Sequence, residues 1–357
     1  MTASSDYPSH NMSNSFHTKR MIALAAVFVI ITIAGLSYVK WWPYYDKALA
    51  AIEKHTIGSS IIPSAKPDAS ASIWQASWDY SVTYFKAVWK AALLGMIVGA
   101  MVQVLLPVNW LMRVMGKMSF KSTVVGGVAS LPGMMCTCCA APIASSMRKR
   151  NVSVGAALAF WIGNPTLNPA TLIFMTFVLS WKFTVLRVAF GLILTFGVSY
   201  LANRFADRKR LDELPMTQDM KQAETAERGP FARRWLKSFA GMFIRIVPIY
   251  LITVYVIGLL QNVLDPSWVS ESVIAIIVCA VIGTLFVIPT AAEIPIVQSF
   301  LAFGTGPASA LLLTLPSISL PSLLLVSRAF PRKVLLFVAG SVMVLGILCG
   351  IVGRLWL

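Results

Sequence analysis

Apolar residues along the chain fall into long runs separated by short polar or basic punctuation, with little of the alternating or 3.6-residue rhythm of a water-soluble fold. The runs Met21–Trp42, Phe85–Leu106, Val154–Leu179, Val185–Ala202, Phe239–Leu260, Ala308–Val326 and Val334–Ile351 are each read as a transmembrane helix, since about 20 apolar residues cross a hydrocarbon core of roughly 30 Å. The first run ends at Trp41-Trp42 with no small-residue cleavage site, which reads as a retained anchor rather than a signal peptide. Two further apolar stretches do not fit as simple spans. Thr123–Ser146 contains Pro132, Pro142 and three cysteines, and Val273–Phe303 contains Pro289, Glu293 and Pro295.

Charge placement decides how these two stretches lie. If Thr123–Ser146 crossed the bilayer, Arg148-Lys149-Arg150 would face the opposite side from Arg113, Lys117 and Lys121. Basic clusters gather on the cytoplasmic side, so the stretch is read as a re-entrant hairpin that leaves and returns inside. Val273–Phe303, read as a hairpin from the outer side, keeps Arg328, Arg332 and Lys333 inside. Irregular backbone at that depth is tolerated where it is buried in protein or lines a wet cavity. The chain then divides into a cytoplasmic tail (1–20), an anchor (21–42), an external loop (43–84), a first repeat (85–206), a cytoplasmic linker (207–235) and a second repeat (236–357).

The two repeats share an order of elements. Thr137 and Pro142 of the first hairpin correspond to Thr290 and Pro295 of the second, and the prolines of Asn164-Pro165-Thr166-Leu167-Asn168-Pro169 correspond to Pro316 and Pro321. Each half reads as span, Pro-bounded hairpin, Pro-broken span, span, beginning on opposite sides of the membrane. The fold class is therefore an all-α polytopic membrane protein of two inverted repeats plus one extra N-terminal helix. Paired interrupted segments of this kind point to a secondary transporter with its site near the midplane.

Composition adds only a few constraints. The 357 residues are 57% apolar and 12% charged, about half the charged share of a soluble domain. Thirty basic against fourteen acidic residues give +16; because the excess sits between spans it sets topology and implies the lipid bilayer, not nucleic acid, as partner. No GxxxxGK[ST] motif is present, so the chain is read as a transporter that does not itself hydrolyse nucleotide, and no cofactor is called. A homo-oligomer is left open.

Candidate chemistry concentrates at the breaks. Cys136, Cys138 and Cys139 are read as free thiols, soft ligands for a thiophilic solute. Cys279 and Cys349 read as small core hydrophobes. All three histidines lie in the N-terminal region, so no Cys/His metal site is called. Asn164-Pro165 and Asn168-Pro169 break one segment twice and expose backbone groups able to line a cavity. Thr290 holds the matching place in the second hairpin. Glu293, an acid inside an apolar stretch, is a functional candidate by its location; it is read either as a proton carrier, with Arg245 in the same proton-coupling site, or as a structural hydrogen-bonded acid paired with Arg245. Lys86, Lys90, Lys182 and Arg187 are read as snorkelling residues at outer span ends, and Gly95 and Gly99 as a close helix contact.

Over Pro132–Thr171 the order CTCC, Pro142, basic turn, Gly155, Phe160, NPTLNP resembles the predicted permease family that includes the trivalent organoarsenical efflux permeases. The resemblance covers roughly Val88 to the C-terminus. It implies that Cys136 and Cys138 match the family's cysteine pair, Asn168 and Pro169 its NP element, and Glu293 its second-half acid. It further implies a bacterial inner-membrane permease exporting a small thiophilic solute, with trivalent organoarsenicals as the named class. The chain departs from the pattern in adding Cys139 and in carrying Ala291 and Ala292. Two other readings of the cysteine cluster stay open: a membrane thiol oxidoreductase or sulfur-handling protein, and a membrane subunit that presents a metal.

Overall fold

The computed structural model describes residues 26–54, 73–105, 111–206, 230–261 and 272–357. The described elements are all helical. They are α1 (Ala26–Glu53), α2 (Ile73–Leu105), α3 (Phe120–Ser130), α4 (Thr137–Lys149), α5 (Val154–Thr166), α6 (Pro169–Val178), α7 (Trp181–Phe205), α8 (Phe231–Gln261), α9 (Val273–Leu285), α10 (Glu293–Phe300), α11 (Thr305–Ser317), α12 (Leu320–Val326) and α13 (Arg332–Trp356). Among the described residues, five stretches are long and apolar enough to cross a bilayer: Ala26–Glu53, Val88–Leu105, Trp181–Phe205, Thr305–Val326 and Arg332–Trp356. The chain is thus a multi-pass membrane protein. Bulky apolar side chains on its outer faces, such as Ile244, Ile252, Ile274 and Leu336, are well exposed, as a hydrocarbon solvent requires.

Local chemistry explains where helices begin. Ser119, Ser153 and Ser272 each accept a hydrogen bond from the backbone N–H three residues on, starting α3, α5 and α9. Asn168 does the same for α6 with two bonds, and Ser319 with Ser322 forms a reciprocal capping box before α12. Caps of this type satisfy the orphan amides of the first helical turn.

Two boundaries differ from the sequence reading. Pro43 does not end the first helix. The five residues Ser37–Trp41 wind as a wide π turn, with the Trp42 N–H reaching back to the Ser37 carbonyl, and this shift of hydrogen bonding lets the helix pass Pro43 and continue to Lys54. The segment 43–84 is accordingly helical at both ends, since α2 already begins at Ile73. The tail 1–20 and the charged segment 207–229 lie outside the described residues, and α8 begins at Phe231, just inside the expected linker.

The element order of the first half recurs in the second. Helix α2 is followed by α3 and α4 with a break between them, then by α5 and α6 with a break between them, then by α7. Helix α8 is followed by α9 and α10, by α11 and α12, and by α13 in the same pattern. At 11 residues α3 is about 17 Å long, too short to cross alone. Across the halves α2 packs on α8, α5 on α11, α4 on α12 and α10 on α6. Gly95 and Gly99 bring α2 against the backbone of α4: a β-carbon at Gly95 would strike the Cys139 carbonyl, and one at Gly99 would lie 3.1 Å from that of Pro142. This is the small-residue packing expected of that pair of glycines.

Candidate substrate site where the helix breaks meet

Four interrupted segments meet at one place. The first break runs through the 3-10 turn Leu131–Gly133 to Met134, whose φ of 47° lies in the left-handed region, and ends at Cys136, the N-cap of α4. It is fastened on both sides. Asn164 accepts from the Met135 N–H at 3.4 Å and donates to the Phe160 carbonyl at 2.9 Å. Trp161 donates to the Thr137 carbonyl at 2.9 Å, and Trp41 of α1 donates to the Pro132 carbonyl at 3.0 Å.

This geometry sorts the three clustered thiols. None of the three is in a disulfide, and all are buried. Cys136 donates to Cys139 Sγ at 2.9 Å, so the close pair has i,i+3 spacing at a helix N-terminus. Cys138 points elsewhere, with its Sγ 3.6 Å from Ser319 Oγ at the fourth break. Among the described residues no cluster of three or more Cys, His, Asp or Glu is set to hold a metal ion.

The second break shows why prolines gather here. Pro169 has no N–H to give the Pro165 carbonyl, and Ala170 gives its own to Asn168 Oδ1 rather than to Thr166. In the fourth segment Pro316 leaves the Leu312 carbonyl without its helical donor. Arg187, on α7, satisfies all three. Its Nη2 donates to Pro165 O at 2.7 Å, its Nε to Thr166 O at 3.2 Å and its Nη1 to Leu312 O at 3.2 Å. It also pairs with Glu293, Nη2 to Oε1 at 3.0 Å. Arg187 is therefore not a snorkelling residue at a span end. Its side chain is 0% exposed, because the orphaned carbonyls and a carboxylate together supply what a buried guanidinium needs.

The third break, Phe286–Ala292, is held by Tyr80, which donates to the Val287 carbonyl at 2.9 Å. It too contains a non-glycine residue in the left-handed region, Ala291 at φ 72°. Glu293 follows as the first residue of α10, where helix amides favour a carboxylate. Its Oε2 is buried with no protein partner. The partner assigned to Glu293 here is Arg187; the side chain of Arg245 lies outside the described residues.

A void of about 10 Å³, the size of one water, is bordered by Cys136, Pro165, Pro289, Thr290, Glu293 and Pro316. All four breaks contribute to it. A larger cavity of about 380 Å³ shares Cys136, Pro289 and Thr290 with the void and extends between α1, α2 and the first and third breaks. Asn164 and Asn168 line neither space. Asn164 pins the first break, and Asn168 caps α6 with its Nδ2 left unpaired.

Two residues central to this arrangement carried no functional reading in the sequence, Lys40 and Tyr44 of α1, and a third, Arg187, carried the wrong one. Lys40 donates to Tyr44 Oη and to Thr290 Oγ1, each at 3.2 Å. The sequence signal for Arg187 is arithmetic: several prolines strip donors from buried carbonyls, and an arginine nearby has donors to give.

The model of a family described as predicted permease matches residues 126–355. The UPF0718 protein YraQ of Escherichia coli (strain K12) is 47% identical over 330 residues, which cover 91% of this chain and 93% of that protein. The UPF0718 protein MJ0584 of Methanocaldococcus jannaschii is 23% identical over 291 residues, covering 62% of this chain and 80% of that one. No solved structure matches. The matched span takes in all four breaks of the site, and the chain belongs to the predicted permease family, as a multi-pass membrane transporter rather than an enzyme.

Proposed function

We propose that the chain is a secondary permease of the bacterial inner membrane, built from two inverted repeats, that exports a small thiophilic solute through the point where the four helix breaks meet. The observation that carries this reading is the shared void, to which Cys136, Pro165, Thr290, Glu293 and Pro316 all contribute. Its surroundings support the repeat. A two-fold axis in the membrane plane exchanging the halves maps α4 on α12 onto α10 on α6, and both contacts exist. Such an axis places the solute site at the repeat interface.

In this reading Cys136, Cys138 and Cys139 bind the solute, and trivalent organoarsenicals are the class implied by the family resemblance. Glu293 carries the coupling proton on Oε2, the oxygen that Arg187 leaves free, and relays binding to α7 through the paired oxygen. Asn164 and Asn168 hold the breaks in register. The test is accumulation of trivalent methylarsenite in everted vesicles, with and without Cys136→Ser and Cys138→Ser. Loss of uptake in the serine variants supports the reading, and transport that survives replacement of all three clustered cysteines overturns it.

A second reading is favoured by one observation. Cys136 and Cys139 form a close CxxC pair at the N-terminus of α4, the setting in which thiols act in disulfide exchange. Trapping a mixed disulfide on Cys136 in a Cys139→Ser variant would support that alternative.

A further inference from the structure

Lys40 has no part in the function proposed so far. It sits on the helix expected to serve only as an anchor, it is 6% exposed, and its two hydrogen-bond partners, Tyr44 and Thr290, are neutral. Among the described residues no carboxylate pairs with it. Buried ammonium groups are found paired or coordinated because their desolvation is otherwise uncompensated. Two of the three N–H bonds of Lys40 are accounted for, which leaves one for the cavity it lines.

That cavity has a marked character. Its volume of about 380 Å³ is in the range of small-molecule pockets. Four lysines line it: Lys40 buried, and Lys47, Lys86 and Lys90 exposed. No acidic residue lines it, although Asp46 and Asp79 lie on the same two helices. Charges of one sign around a cleft with apolar walls focus the field and concentrate the opposite ion. The lining also includes Cys136 and Cys139, and both thiols are close enough to Lys40 to feel its charge. A path of positive charge thus leads to a buried ammonium beside a thiol pair, next to the void where the breaks meet.

We propose that the solute is a small anion bearing a soft atom, a sulfur oxyanion of the thiosulfate type, held between the Lys40 ammonium and the Cys136 and Cys139 thiols. This rests on the reading of the chain as a thiol-dependent permease and names its substrate class. The oxyanion end pairs with Lys40, and the terminal sulfur meets the thiols as a soft acceptor of S–H hydrogen bonds. Helix α1 is then part of the transport machinery. A lipid phosphate could also satisfy lysines at a rim, but a headgroup does not account for a buried lysine beside two thiols.

The experiment is transport by the full chain in proteoliposomes of phosphatidylcholine alone, using thiosulfate, sulfate and uncharged trivalent methylarsenite as probes. The expected result is saturable transport of thiosulfate at least tenfold preferred over sulfate. Lys40→Met should raise its KM at least tenfold, Lys40→Arg should stay within a few fold, and Cys136→Ser should also weaken it. The exposed pair Lys86→Gln with Lys90→Gln, which puts no buried contact at risk, should raise KM several fold and flatten its dependence on salt. Sulfate moved as well as thiosulfate overturns the proposal, as does a Lys40 effect seen only when anionic lipid is added. Methylarsenite transport that needs the cysteines but ignores Lys40, with no anion moved, overturns the anion while leaving the thiol permease intact. Thiosulfate transport that needs Lys40 but no cysteine overturns the thiol reading instead.

Discussion

Arg187 of the first half and Glu293 of the second form an ion pair of 3.0 Å with neither side chain more than 2% exposed. The pair joins the long helix α7 to the start of α10, so it ties the two halves together at the level of the breaks. Removing one partner of a buried pair leaves a bare charge and costs about 3–5 kcal/mol. Glu293→Gln should therefore destabilise the protein by about that much. Arg187→Met should cost more, because the carbonyls of Pro165, Thr166 and Leu312 lose their donor as well. In the double variant the two costs should fall short of their sum by about 1–3 kcal/mol. Thermal unfolding in detergent, compared across the four proteins, checks the order, and simple additivity would show that the pair is not coupled.

Much of this site was legible in the sequence because its landmarks are local. Proline positions, the clustered cysteines and the lone acid Glu293 mark the breaks without any knowledge of the fold. The element order of each half followed from the same marks. What escaped was set by distance along the chain. Arg187 reads as an interfacial cation because it lies a few residues into an apolar run, and its partners are carbonyls freed by prolines up to 129 positions away at Pro316. Lys40 escaped because it lies inside the run read as an anchor and its partner Thr290 is 250 positions away.

Asn164 and Asn168 have the same residue type and neighbouring proline but different work. Asn168 supplies the cap of α6 through Oδ1, while its Nδ2 is buried and unpaired. Asn168→Ala should cost about 1 kcal/mol as a lost cap. Asn168→Ser should be nearly neutral, since it keeps a capping oxygen and removes the orphaned amide. Asn164→Ala leaves the Met135 N–H without its acceptor and takes a side-chain donor from the Phe160 carbonyl, and should cost about 1–3 kcal/mol. Because Met135 adjoins Cys136, it should also change the rate at which a maleimide labels that thiol. Equal behaviour of the two alanine variants in stability and labelling would refute this division.

The glycines allow a paired control. A methyl at Gly95 meets the Cys139 carbonyl, which is backbone within α4 and has no easy way to yield, whereas a methyl at Gly340 of α13 meets nothing within 4 Å. Gly95→Ala should destabilise by about 1–3 kcal/mol through forced separation of α2 and α4. Gly340→Ala should stabilise by about 0.5–1 kcal/mol through helix propensity. The sign of the change in Tm is the readout, and Gly95→Ala should also slow any reaction that needs Cys136 and Cys139 together.

The thiol pairing itself can be read directly. Cys136 occupies the N-cap with extended backbone, so its side chain is not bound to the spacing of the helix and reaches Cys139 Sγ at 2.9 Å. Cys138, between them in sequence, faces Ser319 across the site. Mild diamide treatment should therefore join Cys136 to Cys139 and leave Cys138 reduced, although a reading by adjacency would pair Cys138 with a neighbour. Mass spectrometry of the digested protein should find that link in wild type and in Cys138→Ser, and should lose it in Cys139→Ser. A link through Cys138, or none in wild type, would mean that the first break does not present its thiols in this order, and the solute contacts drawn from it would fall with it.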